Sequence, residues 1–464
     1  MSKDISIKSG ANLNLKGLAS TELEVAKISL DYALNPDDFF GLIPRMLVKE
    51  GDKVSLGQPI FHDKNNESIK IVSPVSGKIL EIVRGAKRKI LNVIIRKEGD
   101  TSINYKIPNL SSISKDKIME LLVESGSLAY IKQRPYNIIA KPDRLPKSIF
   151  VSIHSTAPYA ADYDFVLKNR MDEFQNGVDV MSKLIGKPIN LSISYNCESD
   201  FSILNNVELY KIKGAHPSGN ESFQINRIDP LNSGEIIWVI KPEDLANIGS
   251  FFITGIFNPR RTVAVSGESL RSPKYYDTII GSSISSLIDS KELSSIEDYR
   301  FINGDPLSGS KVEYSDFLGY YNNSLSVIKE GNHYRMLGWL PFIYNSVPSL
   351  SKTSLSWLLG GQKKVNTNLN GEERAIVVTG EMEKYFPMDI FPMQLIKACM
   401  TGDIEKMESL GIYEVVPEDF GLVDFSCTSK IEAQEIVKNG IELMLKEVGL
   451  SLIHISEPTR PLYI

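Results

Sequence analysis

The sequence predicts a multidomain α/β and α+β chain. A barrel-sandwich N-terminal module comes first, then a Rossmann-like α/β middle, a β-grasp (SLBB-like) domain, and a mixed, then helical C-terminal region. Three observations predict this. Residues 40–99 form two related halves of short β-rich runs broken by Gly-centred turns. Residues 148–194 run strand, helix, strand, an order that implies parallel pairing within an α/β layer. Beyond Met388 the chain turns helical, and its 464 residues exceed what one core can organise, so about three domains are expected.

The first unit, residues 1–105, is read from FGLIPRMLVKEGDKVSLGQPIFHDK and IKIVSPVSGKILEIVRGAKRKILNVIIRKEGD. Strands are expected at 45–48, 59–61, 69–72, 78–83 and 90–96, with turns at Glu50-Gly51-Asp52, Ser76-Gly77 and Arg84-Gly85, and an N-terminal strand at 5–7 and 13–15. This is the pattern of biotinyl and lipoyl carrier domains, which either carry a prosthetic group on a hairpin lysine or serve as docking pieces. Lys64 is the nearest candidate, but it lies ten residues before Pro74, no Met brackets it, and DKNNES reads as a long exposed turn. These features favour a module that carries nothing.

The second unit, 106–233, opens with a polar helical segment at 114–125 that ends at Gly126. A buried strand is expected at 148–153, a helix over 164–184 and another strand at 189–194; in the helix Phe165, Val166, Phe174, Val178, Val180, Met181 and Leu184 recur at helical spacing. The third, 234–312, is read as β-grasp: GEIIWVIKP as a strand, PEDLANIGSFFITG as a short helix capped near Gly249 or Gly255, RTVAVSG as a strand, and YYDTIIGSSISSLI as its close. The fourth, 313–449, starts with β structure at 324–328, ahead of helices split at Thr401-Gly402-Asp403, with Asp403 as N-cap. An amphipathic helix over 431–448 ends at a Gly449 cap. Residues 450–464, LSLIHISEPTRPLYI, resemble the conceptual translation of a sequencing adaptor and are set aside, His454 with them.

Composition excludes several functions. A net charge of −5 and a pI near 5.8, with no basic stripe, argue against nucleic acid as a partner. The densest basic cluster, Arg84, Lys87, Arg88 and Lys89, reads as a solvated turn. Cys197, Cys399 and Cys427 form no C-x-x-C pair, so neither a zinc site nor a cysteine-ligated cluster is expected, and such sparse cysteine fits a reducing cytoplasm. MSKDISIKSG has no apolar core of a secretory signal. The most apolar runs, 236–240 and 250–257, fall short of the ~20 residues that span a bilayer, so a membrane role must come through a partner.

Candidate binding residues fall in two places. In GAHPSGN, His216 can donate or accept, Gly219 permits close backbone approach, and a nest of N–H groups could hold an anion; a rigid packing loop is the competing use. Phe39, Phe40 and Tyr136, the last beside Arg134 and Pro135, are rings of the kind that line a quinone slot, with core packing as the alternative for each. His62, His154 and His333 stand isolated and read as structural. Neither G-x-G-x-x-G nor a Walker A motif occurs, and no catalytic or metal-binding set can be assembled.

Taken together, FGLIPRMLVKEGDKVSLGQPIFHDK, SPVSGKILEIVRGAKRKIL, ESGSLAYIKQRPYNIIA, GAHPSGN, PKYYDTIIGSSI, FLGYYNNSLSVIKEG, NGEERAIVVTGEMEKYFPMDIFP and GDIEKMESLGIYEVVPEDFGLVDFSCTSKIE resemble the A subunit of the bacterial Na+-translocating NADH:quinone oxidoreductases, up to about Gly449. The resemblance implies a cofactor-free subunit with no activity of its own, in a membrane complex that oxidises NADH, reduces ubiquinone and exports Na+. It further implies that NADH, flavins and iron–sulfur clusters belong to partner subunits. Such a protein then acts at the quinone-reducing end, with ubiquinone as its possible substrate. It docks at the cytoplasmic face of the inner membrane on the membrane-embedded B subunit. On that basis Phe39, Phe40 and Tyr136 are the expected quinone contacts. The alternatives are an Rnf-type electron-transfer subunit or a purely structural assembly subunit. Flavoprotein relatives in complex I and Rnf have a glycine-rich flavin loop and cysteine-ligated clusters, which this sequence lacks. Cys427 in SCTSK stands where those relatives begin a cluster motif, and one thiolate cannot hold a cluster.

Overall fold

Short alternating runs between 31 and 97 close into two small antiparallel sheets. The computed structural model describes residues 3–197, 199, 201–331, 333, 348–350, 358 and 361–455. One sheet orders Asp31–Leu34, Ile90–Lys97, Gly77–Arg84 and Lys53–Val54; the other orders Pro44–Met46, Pro59–Asp63 and Asn66–Val72. Ile69 and Ile71 from one and Val93 and Ile95 from the other bury into a common core at period-2 spacing, while adjacent Ile60 and Phe61 both bury where the pairing register shifts. Gly77 is obligatory, because a Cβ there would lie 2.0 Å from the Arg96 carbonyl oxygen. The polar tip is tighter than its composition suggests. Only Lys64 and Asn65 separate the two strands, and Asp63 Oδ1 accepts from the N–H groups of Asn65 (3.2 Å) and Ile43 (3.1 Å).

The largest sheet orders Lys3–Ser6, Val207–Lys213, Ile189–Ser194, Ser148–Ser152, Ile237–Ile240, Ile131–Arg134 and Ile138–Ile139. The first five are mutually parallel, Ile131–Arg134 runs antiparallel to them, and Ile138–Ile139 pairs antiparallel to Ile131–Arg134. Ser148–Ser152 and Ile237–Ile240 are buried at every position, the mark of parallel strands covered on both faces. Pairing with Ser148–Ser152 brings a departure from expectation: Ile237–Ile240 and the helix Pro242–Thr254, read with the β-grasp unit, complete the α/β layer instead. The helix packs against Met171–Ile185 through two glycines. A Cβ on Gly249 would fall 1.8 Å from the Glu173 carbonyl oxygen, and one on Gly177 2.2 Å from that of Leu245. Gly249 is therefore a crossing point, and Gly255, at φ +74°, is the cap. The helix expected over 164–184 is two, Tyr163–Leu167 and Met171–Ile185. The N-terminal strand, Lys3–Ser6, pairs with Val207–Lys213 rather than with the barrel-sandwich strands, and of 13–15 only Leu15 makes a bridge, to Lys363.

A third, mixed sheet orders Ser310–Val312, Tyr299–Asn303, Ser324–Lys329, Arg260–Ser266, Lys274–Ile279 and Ser20–Val25. A buried charge network ties it to the α/β layer. Glu243, fully buried on Pro242–Thr254, accepts from Thr262 N–H (3.0 Å) and Oγ1 (2.8 Å), from Asn323 Nδ2 and from Arg170 Nη1 (3.3 Å). Arg261, also fully buried, lies 2.8 Å from Asp244 and 3.8 Å from Glu243.

The C-terminal helices Pro392–Thr401, Ile404–Ser409, Gly421–Ser426 and Ala433–Ile455 enclose a separate apolar cluster. Asp403 caps as expected, its Oδ1 accepting from Lys406 N–H at 3.1 Å. The last helix runs through Gly449 to Ile455. Glycine inside a helix costs only about 1 kcal/mol, and no proline follows before Pro458 to stop it. Residues 456–464 of the tail set aside above lie outside the described residues. Among the described residues no helix is long and apolar enough to cross a membrane.

Candidate functional site

Strand order creates the main cleft. From Ser148–Ser152 the chain builds Ile189–Ser194 and Val207–Lys213 on one side, then returns to place Ile237–Ile240 on the other. Open α/β sheets bind ligands outside the carboxyl ends of strands at such a switch point. A cleft of about 610 Å³ lies there, reached by Thr156 after one strand, Lys241 after the other, Gly219 and Asn220 from the GAHPSGN loop and Glu221 just beyond it. Asp38 of the barrel-sandwich module and Asn303 of the third sheet complete its walls.

The GAHPSGN loop is held from both sides. His216 Nδ1 lies 3.2 Å from Thr156 Oγ1, which also accepts from Gly219 N–H at 2.9 Å. A Cβ on Gly219 would come within 2.6 Å of Thr156 Oγ1 and 2.8 Å of the His154 carbonyl oxygen, so glycine is required by contact here. The His216 carbonyl accepts from Ala11 N–H (2.8 Å), and Asn12 Oδ1 accepts from His216 N–H (2.9 Å). His154, read as isolated in the sequence, belongs to the same network: its Nε2 lies 3.0 Å from Ser218 Oγ. Burial pulls His154 down to about 4. Burial also lowers His216, with Asp305 opposing. Both histidines face the cleft as neutral rings at pH 7.

Phe39, Phe40 and Tyr136 do not form one slot. Phe39 is fully buried, edge-on to Tyr320 (4.8 Å between centroids), Tyr321 (5.8 Å) and Phe61 (6.0 Å). Phe40 and Tyr136 are partly buried and share the C-terminal helical cluster, where Tyr136 meets Tyr413 edge-on at 5.7 Å. None of the three lines the switch-point cleft.

Two charged groups carried no sequence signal strong enough to single them out: Asp38, which lines that cleft, and Lys132, which acts on Asp38 electrostatically. Burial pushes Asp38 up to about 6, with Tyr320 N–H and Lys132 opposing. Burial also pulls Lys132 down to about 8, opposed chiefly by Glu418. The signal available was the alternation in IKQRPY, which puts Lys132 and Arg134 on one face of a strand. Among the described residues no group of three His, Cys, Asp or Glu side chains could hold a metal ion.

Family models match described as the NqrA N-terminal barrel-sandwich hybrid domain at residues 5–98, the NqrA second alpha/beta domain at 113–257 and the NQRA C-terminal domain at 262–314. The A subunit of the Na(+)-translocating NADH-quinone reductase of Neisseria gonorrhoeae is 32% identical over 451 residues, 96% of this chain and all of that protein. Its counterpart in Rhodopirellula baltica is 32% identical, covering 95% of this chain and 98% of that one. That of Haemophilus influenzae is 33% identical, covering 96% and 100%.

Proposed function

This chain belongs to the NqrA family, the A subunits of Na+-translocating NADH-quinone reductases, and from that premise we propose that it works at the quinone-reducing end of the complex, docked at the cytoplasmic face on the membrane-embedded B subunit. It is part of an oxidoreductase that couples NADH oxidation and quinone reduction to Na+ movement. In this reading the electron carriers sit in partner subunits, and this chain shapes the quinone end without carrying electrons. One observation supports the location most. Phe40 and Tyr136 are half-buried rings that both pack against the C-terminal helical cluster, and Ile43 and Leu47, close by along the chain from Phe40, are 50% and 52% exposed. Exposed apolar side chains such as Ile43 and Leu47 are of the kind that meets a lipid-facing partner or an isoprenoid ring.

The test is made in the assembled complex with Phe40→Ala and Tyr136→Ala. The expected result is a KM for a ubiquinone analogue raised several-fold, with NADH oxidation by an artificial acceptor unchanged. An unchanged quinone KM in both variants refutes the quinone-end reading. Loss of this chain from the purified complex, with catalysis otherwise intact, supports the structural alternative. Stoichiometric iron or flavin on the purified chain would favour an Rnf-type carrier.

A further inference from the structure

We propose that the outer edge of Ser20–Val25, with the apolar groove at its end, is the docking site for an extended segment of a partner subunit. That segment adds a strand to the third sheet and seats apolar side chains in the groove. Only the chain's place in a multisubunit complex is needed for this, not the quinone-end location.

Ser20–Val25 is the outermost strand of its sheet, paired on one side with Lys274–Ile279 and exposed at every position. A bulge at its start, between Ser20 and Leu23, leaves Leu23–Val25 in regular parallel register. Ala26 N–H donates to the Asp277 carbonyl at 3.0 Å, so by alternation the N–H and C=O groups of Leu23 and Val25 turn outward. Val25 is 77% exposed and Ile28, just past the strand, 79%; Leu23 and Leu30 are exposed as well. A groove of about 530 Å³ opens at this end of the strand, lined by Val25 and Ile28 together with Leu56, Val75, Ile256 and Ile279. Its Arg260 and Asp277 answer each other at 2.8 Å, and Lys27 pairs with Asp289 at 2.9 Å, so the lining suits an uncharged guest.

Exposed strand edges invite pairing with other chains and are usually blunted. The other outermost strands here follow that rule. Lys3–Ser6, Lys53–Val54, Asn66–Val72 and Ser310–Val312 each carry a lysine, and Pro44–Met46 carries a proline. Ile138–Ile139 is very short, and Asp31–Leu34 is bridged onward from Tyr32 to Ser282. Ser20–Val25 has neither lysine nor proline and shows leucine and valine to water instead. An apolar edge in a chain that protects its other edges marks a surface covered in the working assembly.

A strand of different sequence fits this edge better than a second copy. Two copies paired in the register centred on Leu23 set Glu22 opposite Glu24, and like charges facing across a ladder destabilise it. The exposed apolar patch, on the order of a few hundred Å², also falls below the ~800 Å² per partner of a stable interface between two globular surfaces. An added strand needs less, because main-chain hydrogen bonds supply affinity and side-chain pockets supply specificity. Lys274 already pairs with Glu24, which leaves Glu22 to favour a basic or neutral residue on the partner.

The experiment compares amide hydrogen exchange at residues 23–28 in the full chain alone and in the purified complex. Protection at least tenfold greater in the complex is expected. Val25→Pro removes one outward N–H while keeping an apolar side chain, and Ile28→Asp puts a charge in the groove. Each should weaken retention of the chain by the complex at least tenfold on dilution, and Ile28→Leu should restore it. Melting of the isolated variant chains is expected near that of the wild type, since both side chains face water. A photo-crosslinker at Val25 should join one extended stretch of a partner subunit, located by mass spectrometry of the linked peptide. Equal exchange in both states, unchanged retention of either disruptive variant, or dimerisation of the isolated chain through this edge would overturn the assignment. Loss with Ile28→Asp but not with Val25→Pro is the pattern of a helix or a lipid surface, and it too would overturn the added strand.

Discussion

Glu243→Gln is the most informative perturbation of this fold. The carboxylate is fully buried and answers donors from two units: Arg170 of the α/β layer, and Thr262 and Asn323 of the third sheet. Glutamine preserves its shape and one acceptor oxygen, but turns an amide NH2 toward groups that are themselves donors. Two guanidinium groups, Arg170 and Arg261, then face each other's side of the network with one fewer negative charge between them. Removing one partner of a buried pair costs about 3–5 kcal/mol, and because glutamine keeps part of the hydrogen bonding the lower end, about 3 kcal/mol, is expected. For cooperative units of this size that corresponds to roughly 6–12 °C in melting temperature. Differential scanning calorimetry, checked by urea unfolding, measures it. Glu120→Gln, which breaks an exposed pair with Lys117, is the control and should cost at most about 1 kcal/mol. If Glu243→Gln falls within about 0.5 kcal/mol of wild type, the network is not what holds the two sheets together.

Two further outcomes follow from the geometry. Gly249→Ala should lower stability by about 1–3 kcal/mol or more, because the new methyl meets the Glu173 carbonyl rather than a movable side chain, and thermal unfolding reads this directly. His154 titrates near 4 in the fold and near 6.5 in an unfolded chain, so the unfolded state takes up the proton first as pH falls. Its contribution, on the order of 3 kcal/mol, is fully present above pH 6.5 and is lost between 6.5 and 4. His154→Asn should flatten the stability profile in that window, and an unchanged slope would exclude His154 as its source.

The barrel-sandwich module was legible because its strands alternate and its turns carry glycine, both local signals. Ser148–Ser152 and Ile189–Ser194 were legible as short β-rich runs flanking a helical pattern, an order from which even their parallel pairing could be expected. The assignment of Ile237–Ile240 failed because a buried strand in IIWVI reads identically in either neighbouring unit; only its pairing with Ser148–Ser152 decides the matter. Gly249 resembled a cap because the sequence shows a glycine within a helical run but not the Glu173 carbonyl that demands it. The GAHPSGN loop was found from its composition, whereas its partners Thr156 and His154 lie about sixty residues away. The aromatic trio fared differently. Rings reveal their type in a sequence but not their neighbours, and Phe39 shares no cluster with Phe40.

The first 34 residues contribute one strand to each of three sheets: Lys3–Ser6 beside Val207–Lys213, Ser20–Val25 beside Lys274–Ile279, and Asp31–Leu34 beside Ile90–Lys97. On a ribosome this segment emerges first, yet two of its three docking edges are made some 200 residues and more later. The sheets therefore cannot mature as independent beads in order of synthesis, and loop-closure cost falls on the last steps of assembly. The segment works as a basting thread, and pulling it should loosen these three sheets at once. Attempts to express the α/β layer or the third sheet without it would leave an open strand edge each time.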